Sequence, residues 1–386
     1  MASLPSKLNR KLLERELNNA VRVLPEQPEL IDFSSNDYLG LADSPELFNQ
    51  AAILLEQRGI QSNGATGSRL LTGNHGLYNE LENVLEIFHK VGAAVVFNSG
   101  YDANLGFFSS VPQRGDTVFY DEFIHASIRD GIKLGNAKSF KFRHNNLLDL
   151  KKKFEVERSR SAYDAVFYVV TESIFSMDGD SPDIHALIEF CRDHGCLLVV
   201  DEAHAVGIIG DTGEGLIQHL GFQDLVFARI ITFGKALGSH GAAILGSVAL
   251  KSYLVNFARS LIYTTAMPPH SLATINTIYE RLPLLKEQRK KLFENIQFFK
   301  QEINRMNLET AFIESNSAIH CCVVPGNTKI KALALGIRSN GFDVRPIMSP
   351  TVPQGKERLR ICLHAFNTRK EITELLQLVK TSMELL

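Results

Sequence analysis

Five short apolar runs spaced through the middle of the chain constrain its fold more than any other feature. They are Ala93–Phe97, Thr117–Tyr120, Ala165–Val170, Leu197–Val200 and Arg229–Phe233. Several are continuous stretches of β-branched and aromatic residues without polar alternation, the pattern of strands covered on both faces. Helix-like segments lie between them. Asp183 opens one whose apolar positions, Ile184, Leu187, Ile188 and Cys191, recur at helical spacing until Gly195 ends it. Such alternation predicts an α/β fold, with a mostly parallel sheet flanked by helices. Ala242–Leu245 reads as a further, hairpin-connected strand.

The texture differs at both ends. Lys7 to Arg22 reads as a charged helix halted by Pro25 and Pro28, and Ile31-Asp32-Phe33 as a short strand. Beyond Pro268-Pro269, two long helices rich in Lys, Glu and Gln are predicted from about Ser271 to Met306. A smaller α+β pattern follows: strand Ile319–Val324, helix Lys329–Asn340, strand Leu359–Leu363 and a last helix from Lys370. The expected organisation is an N-terminal helix and substrate-entrance segment (1–45), a large domain (46–270), and a connecting helix with a smaller C-terminal domain (271–386).

Composition narrows the function classes. Basic residues number 41 and acidic residues 43, so bulk charge gives no reason to expect a nucleic-acid or anionic-membrane partner. No run approaches the roughly 20 apolar residues needed to cross a bilayer. Met1-Ala2-Ser3-Leu4-Pro5 leads into a charged stretch, not a signal core. The five cysteines, mostly inside apolar runs such as Cys321-Cys322-Val323-Val324, fit buried thiols in a reducing compartment. Without CxxC or HExxH, a metal site has no support. The expectation is a cytoplasmic protein.

Ligands of open parallel sheets gather outside the carboxyl ends of the strands. After Val96 comes Asn98-Ser99-Gly100-Tyr101, a small polar turn opening a helix whose first N–H groups suit a phosphate. After Val200 comes Asp201-Glu202-Ala203-His204. A carboxylate at the end of a buried strand is costly without a cationic partner. Asp201 therefore either caps the following turn or holds a proton on a ligand's ring nitrogen, with His204 reaching another edge of that ligand. After Phe233 comes Gly234-Lys235-Ala236-Leu237-Gly238. Desolvation disfavours the charged form of a lysine buried there and leaves a nucleophilic amine suited to an imine. A P-loop fails here, because position 229 is Arg and Ala236 stands where Ser or Thr is needed. Neither GxSxG nor GxGxxG occurs. A phosphate-holding turn, an Asp for a ring nitrogen and an imine-forming Lys are the parts that pyridoxal phosphate (PLP) needs.

Further motifs extend the pattern over nearly the whole chain. They are Phe33-Ser34-Ser35-Asn36-Asp37-Tyr38-Leu39-Gly40, Gly64-Ala65-Thr66-Gly67-Ser68-Arg69 with Thr72-Gly73, and Asp121-Glu122-Phe123-Ile124-His125-Ala126-Ser127. Phe175-Ser176-Met177-Asp178-Gly179-Asp180, Thr232-Phe233-Gly234-Lys235 and Tyr263-Thr264-Thr265-Ala266-Met267-Pro268-Pro269 complete the set. Together they resemble the α-oxoamine synthase family of fold-type I PLP-dependent transferases. The resemblance implies a catalytic set of Lys235 carrying the cofactor, Asp201 on its ring nitrogen, His204 on its phenolic oxygen and His125 stacked on its ring. A helix-start cap is the structural alternative for His125. Ser176 would approach the cofactor's polar edge, and Gly100, Tyr101 and Thr232 would hold its phosphate. Thr264 or Thr265 would reach the phosphate of the neighbouring subunit, because such enzymes place shared active sites at a homodimer interface.

The same resemblance implies Asn36 at the substrate entrance and Arg360 as the amino-acid carboxylate anchor, a task suited to a planar guanidinium. It places Arg22 and Thr351 near the acyl substrate. The implied reaction is a decarboxylating condensation of L-alanine with a pimeloyl thioester, on CoA or a carrier protein, giving a biotin precursor. Glycine with acetyl-CoA, or serine with a long acyl chain, keeps the chemistry and changes the pair. A non-catalytic binding subunit is the other alternative, opposed by the presence of Lys235, Asp201, His204 and His125. One departure concerns the acyl substrate: the family pattern has an Arg before Pro350-Thr351-Val352-Pro353, where this chain has Ile347-Met348-Ser349. Arg345 is the candidate substitute.

Overall fold

The computed structural model describes residues 4–24 and 29–385. Met1, Ala2, Ser3 and the expected helix stops Pro25 and Pro28 lie outside the described residues. The chain forms two compact units, one of residues 36–176 and 180–290, the other of residues 1–35, 177–179 and 291–386. The first helix, Ser6–Leu17, stops short of Arg22. Asn19 there takes a left-handed φ of 50°, a conformation asparagine tolerates and a helix does not. The short strand β1 (Ile31–Asp32) follows.

The larger unit is built on seven strands: β2 (Ala93–Phe97), β3 (Thr117–Asp121), β4 (Lys138–Phe142), β5 (Phe167–Glu172), β6 (Leu197–Asp201), β7 (Ala228–Thr232) and β8 (Ala242–Gly246). Their order across the sheet is β2-β8-β7-β6-β5-β3-β4. The run from β4 to β7 is parallel throughout. Only β8 is antiparallel to its neighbours, as its hairpin connection requires. Because successive side chains of a strand point to opposite faces, the continuous apolar runs fill two cores at once. On β3, Val118 enters the cluster with Phe97, Phe107 and Phe108, and the adjacent Phe119 enters the one with Phe142, Phe154 and Phe167. The helix Ile184–His194 begins and ends where its sequence dictates. The Asp183 side chain accepts from Ala186 N at 3.0 Å, and Gly195 adopts a left-handed φ of 65°.

Two features of this sheet depart from the expected runs. Strand β4, Lys-Ser-Phe-Lys-Phe, was not among them, because it is an edge strand that buries only Phe142. Lysines on such an edge discourage pairing with another chain, at the expense of the apolar signal. Strand β5 starts and ends two residues later than expected and finishes at Glu172.

In the smaller unit, β1 pairs in parallel with β10 (Phe342–Asp343). A second sheet has the order β11-β12-β9, formed by β11 (Arg345–Ile347), β12 (Arg358–Cys362) and β9 (Ile319–Val323), all antiparallel. The helices Asn327–Ser339 and Arg369–Glu384 pack together and bury Ile330, Leu333 and Ile337 on one and Ile372, Leu375, Leu376 and Val379 on the other. A reciprocal cap starts the last helix: Glu371 N donates to Thr368 Oγ1 at 3.2 Å, and Thr368 N to Glu371 Oε2 at 2.7 Å. All five cysteines are buried thiols. Among the described residues, no helix is long and apolar enough to cross a membrane.

Candidate active site

A cavity of about 260 Å³ lies at the carboxyl ends of β5, β6 and β7, against the start of the helix Gly100–Ser110. Of the expected residues, Asn36, Gly100, Tyr101, His125, Asp201, His204, Thr232 and Lys235 line it. Sheet register brings the strand ends level, because Glu172 pairs with Asp201 and Asp201 with Ile230.

Asp201 is almost fully buried, yet its hydrogen bonds come from neutral donors, Ala203 N on Oδ1 at 2.9 Å and Asn104 Nδ2 on Oδ2 at 3.0 Å. Such an anion beside an open cavity is suited to a cationic ring N–H. Lys235 sits in the turn after β7, where Gly238 N donates to Lys235 O at 2.8 Å and Gly238 takes a φ of 59° that favours glycine. The lysine is half-buried rather than fully enclosed, and its Nζ lies 2.7 Å from His204 Nε2. Tyr38 OH lies 2.7 Å from His204 Nδ1 and donates to Asn36 Oδ1 at 3.1 Å. His125 lines the cavity, and its Nδ1 caps the helix Ala126–Leu134 by accepting from Ser127 N at 3.3 Å.

The start of the helix Gly100–Ser110 is built on close backbone approach. A Cβ added to Gly100 would lie 2.7 Å from Thr232 Cγ2, so only glycine lets the helix start sit against Thr232. Ser99 Oγ accepts from Asp102 N at 3.1 Å and caps the helix, leaving the first N–H groups to an anion. Within the cavity wall, Asn104 Oδ1 is buried without a partner. Amine, anion, helix start and unspent amide oxygen together fit PLP.

Four lining residues escaped the sequence reading: Asn104, Glu172, His240 and Gly241. Glu172 was legible in principle, because it ends its strand as Asp201 does. Placing the end of β5 at Val170 hid it. Burial pushes the Glu172 acid up to about 8, and the Asp201 charge adds to the rise. Asn104 lies one helical turn beyond Gly100, a position that only the fold links to Asp201.

Other expected residues stand apart from the cavity lining. Ser176 is half-buried in the turn after β5. Thr264 Oγ1 and Thr265 O accept from Asn98 Nδ2 at 3.1 and 2.6 Å. In the smaller unit, Arg22 Nη2 donates to Thr351 Oγ1 at 3.2 Å, bringing the two acyl-side candidates together. Arg360 is buried on β12, its Nη1 2.9 Å from Cys362 Sγ. Arg345 pairs with Asp343 at 3.1 Å, so the candidate substitute for the missing Arg is already engaged.

A model of the class I and II aminotransferase family matches residues 28–379. The 8-amino-7-oxononanoate synthase of Emericella nidulans is 40% identical over 97% of this chain and 93% of its own. Among solved structures, a serine palmitoyltransferase from S. paucimobilis with a bound PLP–myriocin aldimine superposes with a TM-score of 0.89 at 26% identity, covering 100% of this chain and 99% of that one. The 8-amino-7-oxononanoate synthase of Francisella tularensis gives 0.76 at 28% identity, covering 92% and 98%.

Proposed function

Because the chain belongs to the class I and II aminotransferase family, in the group whose curated relatives are 8-amino-7-oxononanoate synthases, we propose that it condenses L-alanine with a pimeloyl thioester. The products are 8-amino-7-oxononanoate, CO2 and the free thiol, a step of biotin biosynthesis. The observation that carries this reading is one cavity lined by Lys235, Asp201, His204 and His125, in a chain 40% identical to a synthase of that name.

PLP supplies an electron sink for the bond changes at the amino-acid α-carbon. The residues supply the rest. Lys235 presents its amine to the cofactor and moves the α-proton at Nζ. Asp201 keeps a proton on the ring nitrogen, and His204 holds the phenolic oxygen. His125 covers one ring face, where an aromatic side chain packs well. The helix start at Gly100 and Tyr101, with Thr232, holds the phosphate. Ser176 serves the polar edge, Arg360 anchors the amino-acid carboxylate, and Asn36, Arg22 and Thr351 serve the substrate path. We place Thr264 and Thr265 on the phosphate of a second subunit, which makes the working unit a homodimer. The domain scheme 1–45, 46–270 and 271–386 and a cytoplasmic location belong to the same reading.

The test is mass spectrometry of the product from L-alanine and pimeloyl-CoA, with glycine plus acetyl-CoA and serine plus palmitoyl-CoA run alongside. The reading requires 8-amino-7-oxononanoate as the dominant product. Condensation with glycine or serine alone moves the chain to a different α-oxoamine synthase, and inactivity with every pair marks a binding subunit.

A further inference from the structure

We propose that Tyr38 is a positioning residue that sets the tautomer of His204, making His204 Nε2 the base that deprotonates the Lys235 ammonium. Tyr38 is 1% exposed, so its hydroxyl relies on protein partners. An ammonium has three hydrogens and no lone pair, so His204 Nε2, 2.7 Å from Lys235 Nζ, accepts. A neutral imidazole that accepts at Nε2 carries its hydrogen on Nδ1. That hydrogen meets the Tyr38 oxygen at 2.7 Å, and the Tyr38 hydroxyl passes its own hydrogen to Asn36 Oδ1 at 3.1 Å. The donors therefore run one way, from Lys235 through His204 and Tyr38 to Asn36. In the opposite tautomer, an Nε2–H would confront the ammonium hydrogen to hydrogen.

The step moves one proton. The Nζ–H bond breaks, its electron pair stays on Nζ as the nucleophile's lone pair, and the proton forms a bond to Nε2. His204 becomes an imidazolium whose Nδ1–H remains on the Tyr38 oxygen, and its new Nε2–H is ready to donate to the cofactor's phenolic oxygen. This inference rests on Lys235 as the residue that carries PLP.

The test uses the full-length, cofactor-free chain. Lys235 is labelled with trinitrobenzenesulfonate from about pH 6 to about pH 10 and read by peptide mass spectrometry, for wild type and Tyr38→Phe. His125, Glu172, Asp201, His204 and His240 line the same cavity and are unchanged, so the difference isolates Tyr38. We expect the midpoint of labelling to fall by about one pH unit in Tyr38→Phe, because the released Nε2–H tautomer no longer accepts from the ammonium, with a roughly tenfold faster reaction below it. The nitrogen-15 spectrum of wild-type His204 should report the Nδ1–H form. An unchanged midpoint, or an Nε2–H form in the wild type, overturns the proposal. If Tyr38→Phe does not fold, 3-fluorotyrosine incorporated at position 38 keeps the shape and weakens the acceptor oxygen; a lowered midpoint supports the proposal and an unmoved one overturns it. Because no substrate or cofactor enters the measurement, failure to make 8-amino-7-oxononanoate and failure of this step are separately visible.

Discussion

The backbone N–H of His125 donates to Glu172 Oε1 at 2.5 Å, so a buried acid at the end of one strand holds the residue proposed to cover the cofactor. With its acid pushed up to about 8 by burial and by Asp201, Glu172 is a neutral carboxylic acid at pH 7. Glu172→Gln keeps the shape and the acceptor oxygen, and PLP affinity at neutral pH should stay within about threefold of wild type. Glu172→Ala strands the His125 N–H and should weaken PLP binding roughly tenfold or more, read by absorbance titration. The folded acid lies above its unfolded value of 4.5, so its contribution to stability is complete below 4.5 and lost as pH rises through about 8. Glu172→Gln should remove that loss from urea unfolding curves. A Glu172→Ala protein that binds PLP like the wild type would dismiss the positioning role.

Asp201 and Asn104 form the next pair to separate. Asn104→Ala deletes a hydrogen bond to a charged oxygen, a contact worth about 1.5–3 kcal/mol, and should raise the Kd for PLP accordingly. Asp201→Asn preserves volume and removes the charge. It should retain part of the PLP affinity while product formation falls on the order of a hundredfold or more. Wild-type turnover in Asp201→Asn would withdraw the ring-nitrogen assignment.

Behind this strand end lies an ion pair with no solvent access. Glu202 Oε2 and Arg229 Nε are 2.5 Å apart, at 0% and 1% side-chain exposure. Arg229 also donates to Glu214 O at 2.8 Å, and Glu202 Oε1 accepts from Ile217 N at 3.0 Å. Removing one partner leaves a buried charge, so Glu202→Ala should cost about 3–5 kcal/mol in denaturant unfolding. Replacing both by apolar residues of similar size should cost much less. A Glu202→Ala protein as stable as the wild type would show that the pair contributes nothing.

How far these pairings could be read from the sequence follows from their range. Strand positions were legible because each buried run advertises itself, and the strand-end rule then delivered Asp201, His204 and Lys235 without long-range information. Strand β4 was not legible, since an exposed edge carries almost no apolar signal. Displacing the end of β5 by two residues concealed Glu172. Asn104 became a site residue only when the helix Gly100–Ser110 docked on the sheet, a relationship no local pattern encodes.

Arg360 tests the substrate side. Its guanidinium is buried on β12, with Nη1 2.9 Å from Cys362 Sγ, and its planar fork suits a carboxylate. Arg360→Ala should raise the KM for L-alanine by roughly ten- to a hundredfold, the loss of a charge-assisted contact, while PLP affinity stays near wild type. Arg360→Lys keeps the charge but loses the planar fork and should fall between the two. Steady-state kinetics with alanine varied at fixed acyl thioester decides it; an unchanged KM in Arg360→Ala assigns the carboxylate to another residue.

The final prediction concerns pH and His144. Its Nδ1 is 2.9 Å from Asp121 Oδ1 and its Nε2 is 2.8 Å from Asp180 Oδ2. Ionised carboxylates only accept, so both nitrogens donate and the ring is an imidazolium. Burial alone would lower its pKa, but the hydrogen bonds and charges of Asp121 and Asp180 prevail and hold it at about 9. Asp121 Oδ1 also accepts from Phe123 N at 2.8 Å, and the Phe123 ring stacks on His144 at 4.4 Å, fastening the loop that leads to His125. The folded pKa exceeds the unfolded 6.5, so this contribution is complete below 6.5 and lost as pH climbs through about 9. At 1.36 kcal/mol per unit, the swing is at most roughly 3 kcal/mol. Urea midpoints of wild type should therefore fall across that window, while His144→Gln starts lower at pH 6.5 and stays flatter. Subtracting one curve from the other removes groups common to both, Glu172 included. Parallel curves from pH 6.5 to 9 would mean that the imidazolium does not hold this loop.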